Sequence, residues 1–256
     1  MQKSEFPKEI SLALSGGAAK GAYQLGIIDT LQKRGIAIKA ISGTSIGAVI
    51  GAALASGKRA DEIFEIVSSK EYRKIFRPYM KKGALFRIDT DAVILRELIS
   101  CESFEELKIP LTVCMTHTQM AKAVYRSRGD LWSAVLASSA ISPLFPPVEI
   151  DGVVYSDGGL VDNFPVEQLE NISYPIVGVN LYPNNKKIPT TIFGWLKKNL
   201  RIAWQHNNFE KERKCDYYFT NVKLDHIRAF SFFGIQKAYS LGKKDMEQFL
   251  ASKHII

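Results

Sequence analysis

Ser45 stands between Gly43 and Gly47 in GTSIG, and Ala48, Gly51, Ala52 and Ala53 follow it. In a sharp strand-to-helix turn, a protruding nucleophile needs small residues two positions either side so that helix and strand can approach. The N-terminus of the helix would favour negative charge on the serine oxygen. The same residues also describe a glycine-rich turn in which serine is an ordinary N-cap. Company separates the two readings: a serine nucleophile needs donors for a developing oxyanion and an acceptor for its proton.

Two segments offer that company. SGGAAKG, residues 15–21, strings the backbone N–H groups of Gly16, Gly17, Ala18 and Ala19 between a strand and a helix, where they would hold an oxyanion or a phosphate. It does not fit the dinucleotide fingerprint, because Ala18 replaces the glycine that meets pyrophosphate and the region after the second strand reads ISGTS, without an acid. In YSDGGL a strand ends at Asp157, and Gly158 and Gly159 permit a turn that leaves the carboxylate at the sheet's carboxyl edge beside Ser45. An aspartate can deprotonate serine where burial raises its pKa. Asp-Gly is equally a common hairpin turn.

Histidine is the default base, and the chain has four: His117, His206, His226 and His254. None adjoins a motif, so each reads as a surface or structural residue. The order Ser, Asp, His leaves open a triad of Ser45, Asp157 and a later histidine, but such a fold places several strands before its elbow, and only two precede Ser45 here.

The elements that must position these residues follow from periodicity. EISLALS reads as a buried strand, GAYQLGIIDTLQKRG as a helix, AIKAISG as a second strand, and a second helix leaves Ser45. Repeated strand–turn–helix units predict a parallel sheet with right-handed crossovers. Residues 59–108 read as helices broken at RPYMKKGALF, PLTVCMTHT and AKAVYRSR as neighbouring strands, and DLWSAVLASSA as a helix. Three prolines in ISPLFPPVEIDG exclude regular helix. YPIVGVNLYP and DYYFTNV read as late strands, and GIQKAYSLGKKDMEQFL as an amphipathic helix. The alternation predicts a single domain over residues 1–256, a three-layer α/β/α sandwich around a mostly parallel sheet.

Composition sets the boundaries. A chain of 256 residues with 46% hydrophobic and 23% charged residues suits one large soluble core and excludes a disordered or membrane-bundle class. Three cysteines, an odd number without C-x-x-C spacing, suggest neither a disulfide framework nor zinc. With no apolar run of membrane-spanning length and no cleavable signal pattern, a reducing, cytoplasmic setting is expected. The net charge of +8 points toward nucleic acid, an anionic bilayer or a phosphate-bearing substrate; nucleic acid is least favoured, because no recognition motif accompanies the charge.

Taken together, SGGAAKG, GTSIG and DGG resemble the patatin-like phospholipase family. The likeness extends through LALSGGAAKGAYQLGIIDTL, AISGTSIGAVIGAALASG and LWSAVLASSAISPLFPPVEIDGVVYSDGGLVDNFPV, most of residues 10 to 170. It implies a Ser-Asp dyad hydrolase on a three-layer α/β fold, acting on acyl esters of phospholipids or related lipids without a cofactor or metal. Ser45 would be the nucleophile, Asp157 the proton acceptor, and the backbone of Gly16, Gly17 and Ala18 the oxyanion hole. Gly21, Gly43, Gly47, Gly158 and Gly159 complete the motifs. The family usually has a third glycine where this chain has Ala18, which keeps the N–H and suffices if the backbone there needs no positive φ. Lys20 keeps the family's basic position.

Residues 190–214 place Ile192, Leu196, Leu200 and Ala203 near one helical face, with Phe193, Trp195 and Trp204 beside them. That is either a basic amphipathic segment lying on an anionic membrane or, the slightly favoured reading, a core-covering helix with a solvated basic face. EYRKIFRPYMKKGALF, at 71–86, reads as a lid, an entrance or a loop rim.

Overall fold

The computed structural model describes residues 6–81, 83–184, 188–205, 208–227 and 232–252. β1 (Glu9–Leu14) passes through a 3₁₀ turn into α1 (Gly21–Lys33), and β2 (Ala37–Thr44) passes through Ser45 into α2 (Ile46–Ala55). α3 (Ala60–Ser68) and the single turn α4 (Lys70–Arg73) precede β3 (Phe76–Lys81), β4 (Ala84–Ile88) and α5 (Val93–Leu98). β5 (Leu111–His117), β6 (Lys122–Arg126), α6 (Leu131–Ser138), β7 (Val148–Ile150) and β8 (Val153–Asp157) follow. The remainder is β9 (Ile176–Val179), α7 (Ile192–Trp204), α8 (Asn208–Arg213), β10 (Tyr217–Phe219) and α9 (Phe232–Ser252).

The main sheet runs β10-β9-β1-β2-β5-β8-β7, with β6 also paired to β5. Its first five strands are parallel; β6 and β8 lie antiparallel to β5. Side chains alternate across it. Leu12, Leu14, Ile41 and Val177 enter the larger core under the helices, whereas Ala13, Ala40 and Ile176 face a smaller cluster with Phe164, Val166 and Leu169. The expected mostly parallel α/β sandwich is present, with unequal outer layers: on the smaller side Phe164 and a 3₁₀ turn (Val166–Leu169) lie against the sheet.

The register around β5 positions the site. β2 pairs β5 over Leu111–Cys114, with Thr44 opposite Cys114, and β8 pairs β5 over Met115–His117, with Asp157 opposite Met115. β6 occupies β5 from Val113 to His117. A strand has two edges, so β2 and β8 must share the edge that β6 leaves free. They approach along it from opposite directions and end one residue apart.

Two expectations are corrected. The break predicted within 59–108 is itself ordered, as an antiparallel hairpin of β3 and β4 outside the main sheet. Pro78 lacks a donor, and a two-stranded ribbon accommodates it where a central strand would not; β4 also donates from Leu85 and Phe86 to the carbonyls of Pro143 and Leu144. The second correction concerns α7. Ile192, Phe193, Trp195, Leu196 and Ile202 are exposed and Arg201 is turned inward, the reverse of a core-covering helix with a solvated basic face. Arg201 is held there by Asp225 and the Pro183 carbonyl. The side chains of Leu200 and Ala203, and all of His206 and His254, lie outside the described residues.

Candidate active site

Ser45 occupies a backbone conformation that few L-residues adopt, φ 55° and ψ −123°, immediately before α2. That turn throws its side chain off the end of β2 while α2 folds back close to β1. The glycines make the approach feasible: a Cβ on Gly47 would lie 2.3 Å from the Leu14 carbonyl oxygen, and one on Gly43 would lie 2.5 Å from the carbonyl oxygen of Gly47. Gly21 starts α1 against Ile46, the residue after the serine.

The Ser45 hydroxyl donates to Asp157 Oδ2 at 2.7 Å. Asp157 is 5% exposed, and its other oxygen accepts the Gly159 N–H at 2.8 Å. Burial pushes the carboxyl up to about 6, despite the opposing hydrogen bonds from Ser45 and Gly159, because the charged form is deprived of water. The carboxylate does stand beside Ser45 at the end of β2, as expected, but an antiparallel strand brings it there. β8 cannot continue past β2, so the chain turns away at Gly158, where a Cβ would meet the Cys114 carbonyl oxygen at 2.3 Å.

The loop of residues 15–21 lies beside the pair, and not all of its N–H groups are open. The Gly16 N–H donates to the Asn163 carbonyl at 3.1 Å and is therefore occupied. Among the described residues, the N–H groups of Gly17 and Ala18 have no protein acceptor. Ala18 has φ 50°, so the left-handed conformation that glycine adopts freely is imposed here on alanine. Lys20 is nearly buried, its ammonium 4.6 Å from the centre of the Tyr182 ring.

A cavity of about 680 Å³ opens at Ser45 and Asp157, within the size range of small-molecule sites. Ile50, Val67, Leu98, Trp132, Val135 and Phe145 contribute to its largely apolar wall, with Phe76 and Ile88 entering from the hairpin. It can receive a long apolar chain with its polar end at Ser45. Among the described residues, no group of three or more His, Cys, Asp or Glu side chains is placed to share a metal ion.

The model of the family described as patatin-like phospholipase matches residues 12–170. The chain belongs to that family. An uncharacterized NTE family protein of Mycobacterium bovis is 35% identical over 174 residues, which make up 67% of this chain and 46% of that protein. Lysophospholipase nte1 of Aspergillus niger is 27% identical over 184 residues, 66% of this chain and 12% of that protein. The chain thus spans less than half the length of these curated relatives. The crystal structure of VipD from Legionella pneumophila is similar in fold, with a TM-score of 0.56 at 16% identity, covering 97% of this chain and 68% of that one.

In this patatin-like phospholipase family member the matched span carries the serine, the aspartate and the glycine-rich loop, and three further residues fasten them together. Ser138 on α6 accepts the Ser45 N–H at 2.8 Å and donates to the Cys114 carbonyl at 2.6 Å, tying the elbow to β5. Asn163 holds Gly16 through its carbonyl, and its buried side-chain nitrogen has no partner among the described residues. Asp162 accepts at its carbonyl from Thr44 Oγ1 and at its carboxylate from Tyr125 and Lys211. No spacing rule singles out Ser138; Asn163 and Asp162 follow closely on DGG, which was the one available signal. Of the described histidines, His117 ends β5 against Tyr155, and neither it nor His226 lines the cavity.

Proposed function

We propose that this chain is a lipid acyl hydrolase that works through an acyl-serine. The observation that carries the reading is the 2.7 Å hydrogen bond from Ser45 Oγ to the buried Asp157 carboxylate at the wall of an apolar cavity. Asp157 accepts the hydroxyl proton as Ser45 attacks the ester carbonyl. The N–H groups of Gly17 and Ala18 receive the developing oxyanion, assisted by preorganised backbone dipoles. Collapse expels the alcohol portion, which takes the proton back from Asp157 and leaves the acyl group on Ser45. Water, deprotonated by Asp157, then attacks that ester, and the fatty acid departs as Ser45 recovers its proton.

Family membership and the apolar cavity support a lipid ester as the substrate. One relative is a lysophospholipase, so lysophospholipids are the substrate class to try first. A fluorophosphonate is expected to label Ser45, and Ser45→Ala is expected to abolish fatty-acid release from lysophosphatidylcholine and from a short-chain ester. Unchanged release by Ser45→Ala overturns the reading. Full activity in Asp157→Asn, combined with loss in His117→Ala or His226→Ala, replaces the dyad with a triad.

A further inference from the structure

α7 wears its apolar stripe outward. At 3.6 residues per turn, Ile192, Trp195, Leu196, Asn199 and Ile202 share one side of the helix, and the opposite side carries Gly194, Lys198 and Arg201. Ile192 and Phe193 are 87% and 83% exposed, whereas the Arg201 side chain is 13% exposed and paired with Asp225. A helix packed on its own protein for stability alone would bury the stripe and solvate the arginine.

The β3–β4 hairpin repeats the pattern. Met80 is 76% exposed, Leu85 and Phe86 are also exposed, and the cations Lys74, Lys81 and Arg87 are exposed around them. Residues 74–88 contain five lysines and arginines and no acid, and of these Arg77 pairs with Asp89 just beyond them. Both elements border the cavity that holds Ser45: Phe76 and Ile88 line it from the hairpin side, Arg201 and Trp204 from α7. Large apolar patches of this kind mark an interaction site.

We propose that the outward face of α7 and the β3–β4 hairpin together form a docking surface for an anionic lipid bilayer, setting the cavity against the membrane. Charge selects this occupant, since the exposed Lys74, Lys81 and Arg87 around the apolar residues of the hairpin complement a surface of anionic headgroups. Tryptophan and phenylalanine beside aliphatic residues suit the headgroup boundary. Continuity supports it too: the elements that expose the apolar residues also wall the cavity into which an acyl chain would pass. The choice of a lipid surface rests on the acyl-hydrolase reading above, and docking is measured apart from turnover.

The test is co-sedimentation of the full chain with vesicles of phosphatidylcholine alone and of phosphatidylcholine mixed with phosphatidylglycerol, beside hydrolysis of a water-soluble short-chain ester. Wild type is expected to bind the mixed vesicles more tightly, with binding falling as salt rises. Phe193→Ser/Trp195→Ser/Leu196→Ser is expected to lower that binding by roughly tenfold or more while short-ester turnover persists, which also shows that the variant is folded. Lys81→Glu/Arg87→Glu is expected to weaken binding to the mixed vesicles only. Equal binding by the triple variant and wild type overturns the proposal, as does wild type that ignores anionic vesicles. A wild-type dimer that the triple variant turns into a monomer, without vesicle binding, assigns the face to a second copy instead. Vesicle binding without turnover of any ester refutes the hydrolase reading and leaves the lipid contact standing.

Discussion

Ser45 and Asp157 meet because the strands that carry them, β2 and β8, run head-on along one edge of β5 and stop at adjacent rungs, opposite Cys114 and Met115. Neither strand can go further, so the chain leaves the sheet at Ser45 through a rare backbone conformation and at Gly158 through a 3₁₀ turn too close to Cys114 for a Cβ. The 2.7 Å contact is thus set by backbone ladders rather than by long side chains, which holds the two groups within tight tolerance.

The first prediction concerns pH. With the Asp157 carboxyl pushed up to about 6, the base is ionised only above that value, so kcat/KM on a soluble ester should rise through pH 6 and then level. Asp157→Asn should lose about 10²- to 10⁴-fold in rate at pH 8. A wild-type profile already flat at pH 4.5 contradicts the assignment.

The same shift has a thermodynamic face. Between the usual carboxylate range and pH 6 the folded chain holds a proton that the unfolded chain has released, so this group's contribution makes stability fall as pH rises across that window. The cost at pH 8 is about 3 kcal/mol. Asp157→Asn should therefore flatten that decline and raise the denaturation midpoint at pH 8 relative to wild type. A midpoint lower than wild type at pH 8 counts against it.

Ser45 adopts φ 55°, which a glycine tolerates better than any residue with a Cβ. Ser45→Gly and Ser45→Ala should both be inactive, with the glycine variant more stable by about 1 kcal/mol in urea unfolding. Equal stabilities would mean that the elbow stores no strain.

Ala18→Gly addresses the same issue in the anion-binding loop, where φ is 50°. It should stabilise the protein by up to about 1 kcal/mol and keep ester turnover, since the N–H remains. Destabilisation together with lost turnover would show that the methyl group matters to the loop.

Gly47→Ala drives a methyl to 2.3 Å from the Leu14 carbonyl oxygen, and backbone on both sides must give way. A loss of about 1–3 kcal/mol is expected, with turnover falling because α2 carries the elbow. Wild-type activity in this variant would show that the close approach of α2 to β1 is dispensable.

The strand–turn–helix units around β1 and β2 were readable because parallel strands buried on both faces leave continuous apolar runs ended by glycine. The serine, the aspartate and the loop were readable because each sits in a motif whose residue types are forced by close backbone contact. Ser138 was not, since a hydrogen bond across 93 residues, from Ser45 N to Ser138 Oγ, leaves no trace in local spacing. Nor could the outward orientation of α7 be read: periodicity places Ile192 and Leu196 on one face but does not say which way that face turns. The occupation of the Gly16 N–H by Asn163 likewise depends on a loop arriving from elsewhere in the chain.

The cavity wall is drawn from two sources. The end with Ser45, Asp157 and the loop at Gly17 lies within residues 12–170, whereas Arg201, Trp204 and Ile235 join the wall from the part of the chain beyond the family match. On the acyl-hydrolase reading proposed above, the fit of the guest would be shared between the apolar wall of the matched span and these later residues. Substitutions at Arg201, Trp204 or Ile235 would reshape that wall without touching the ladder along β5.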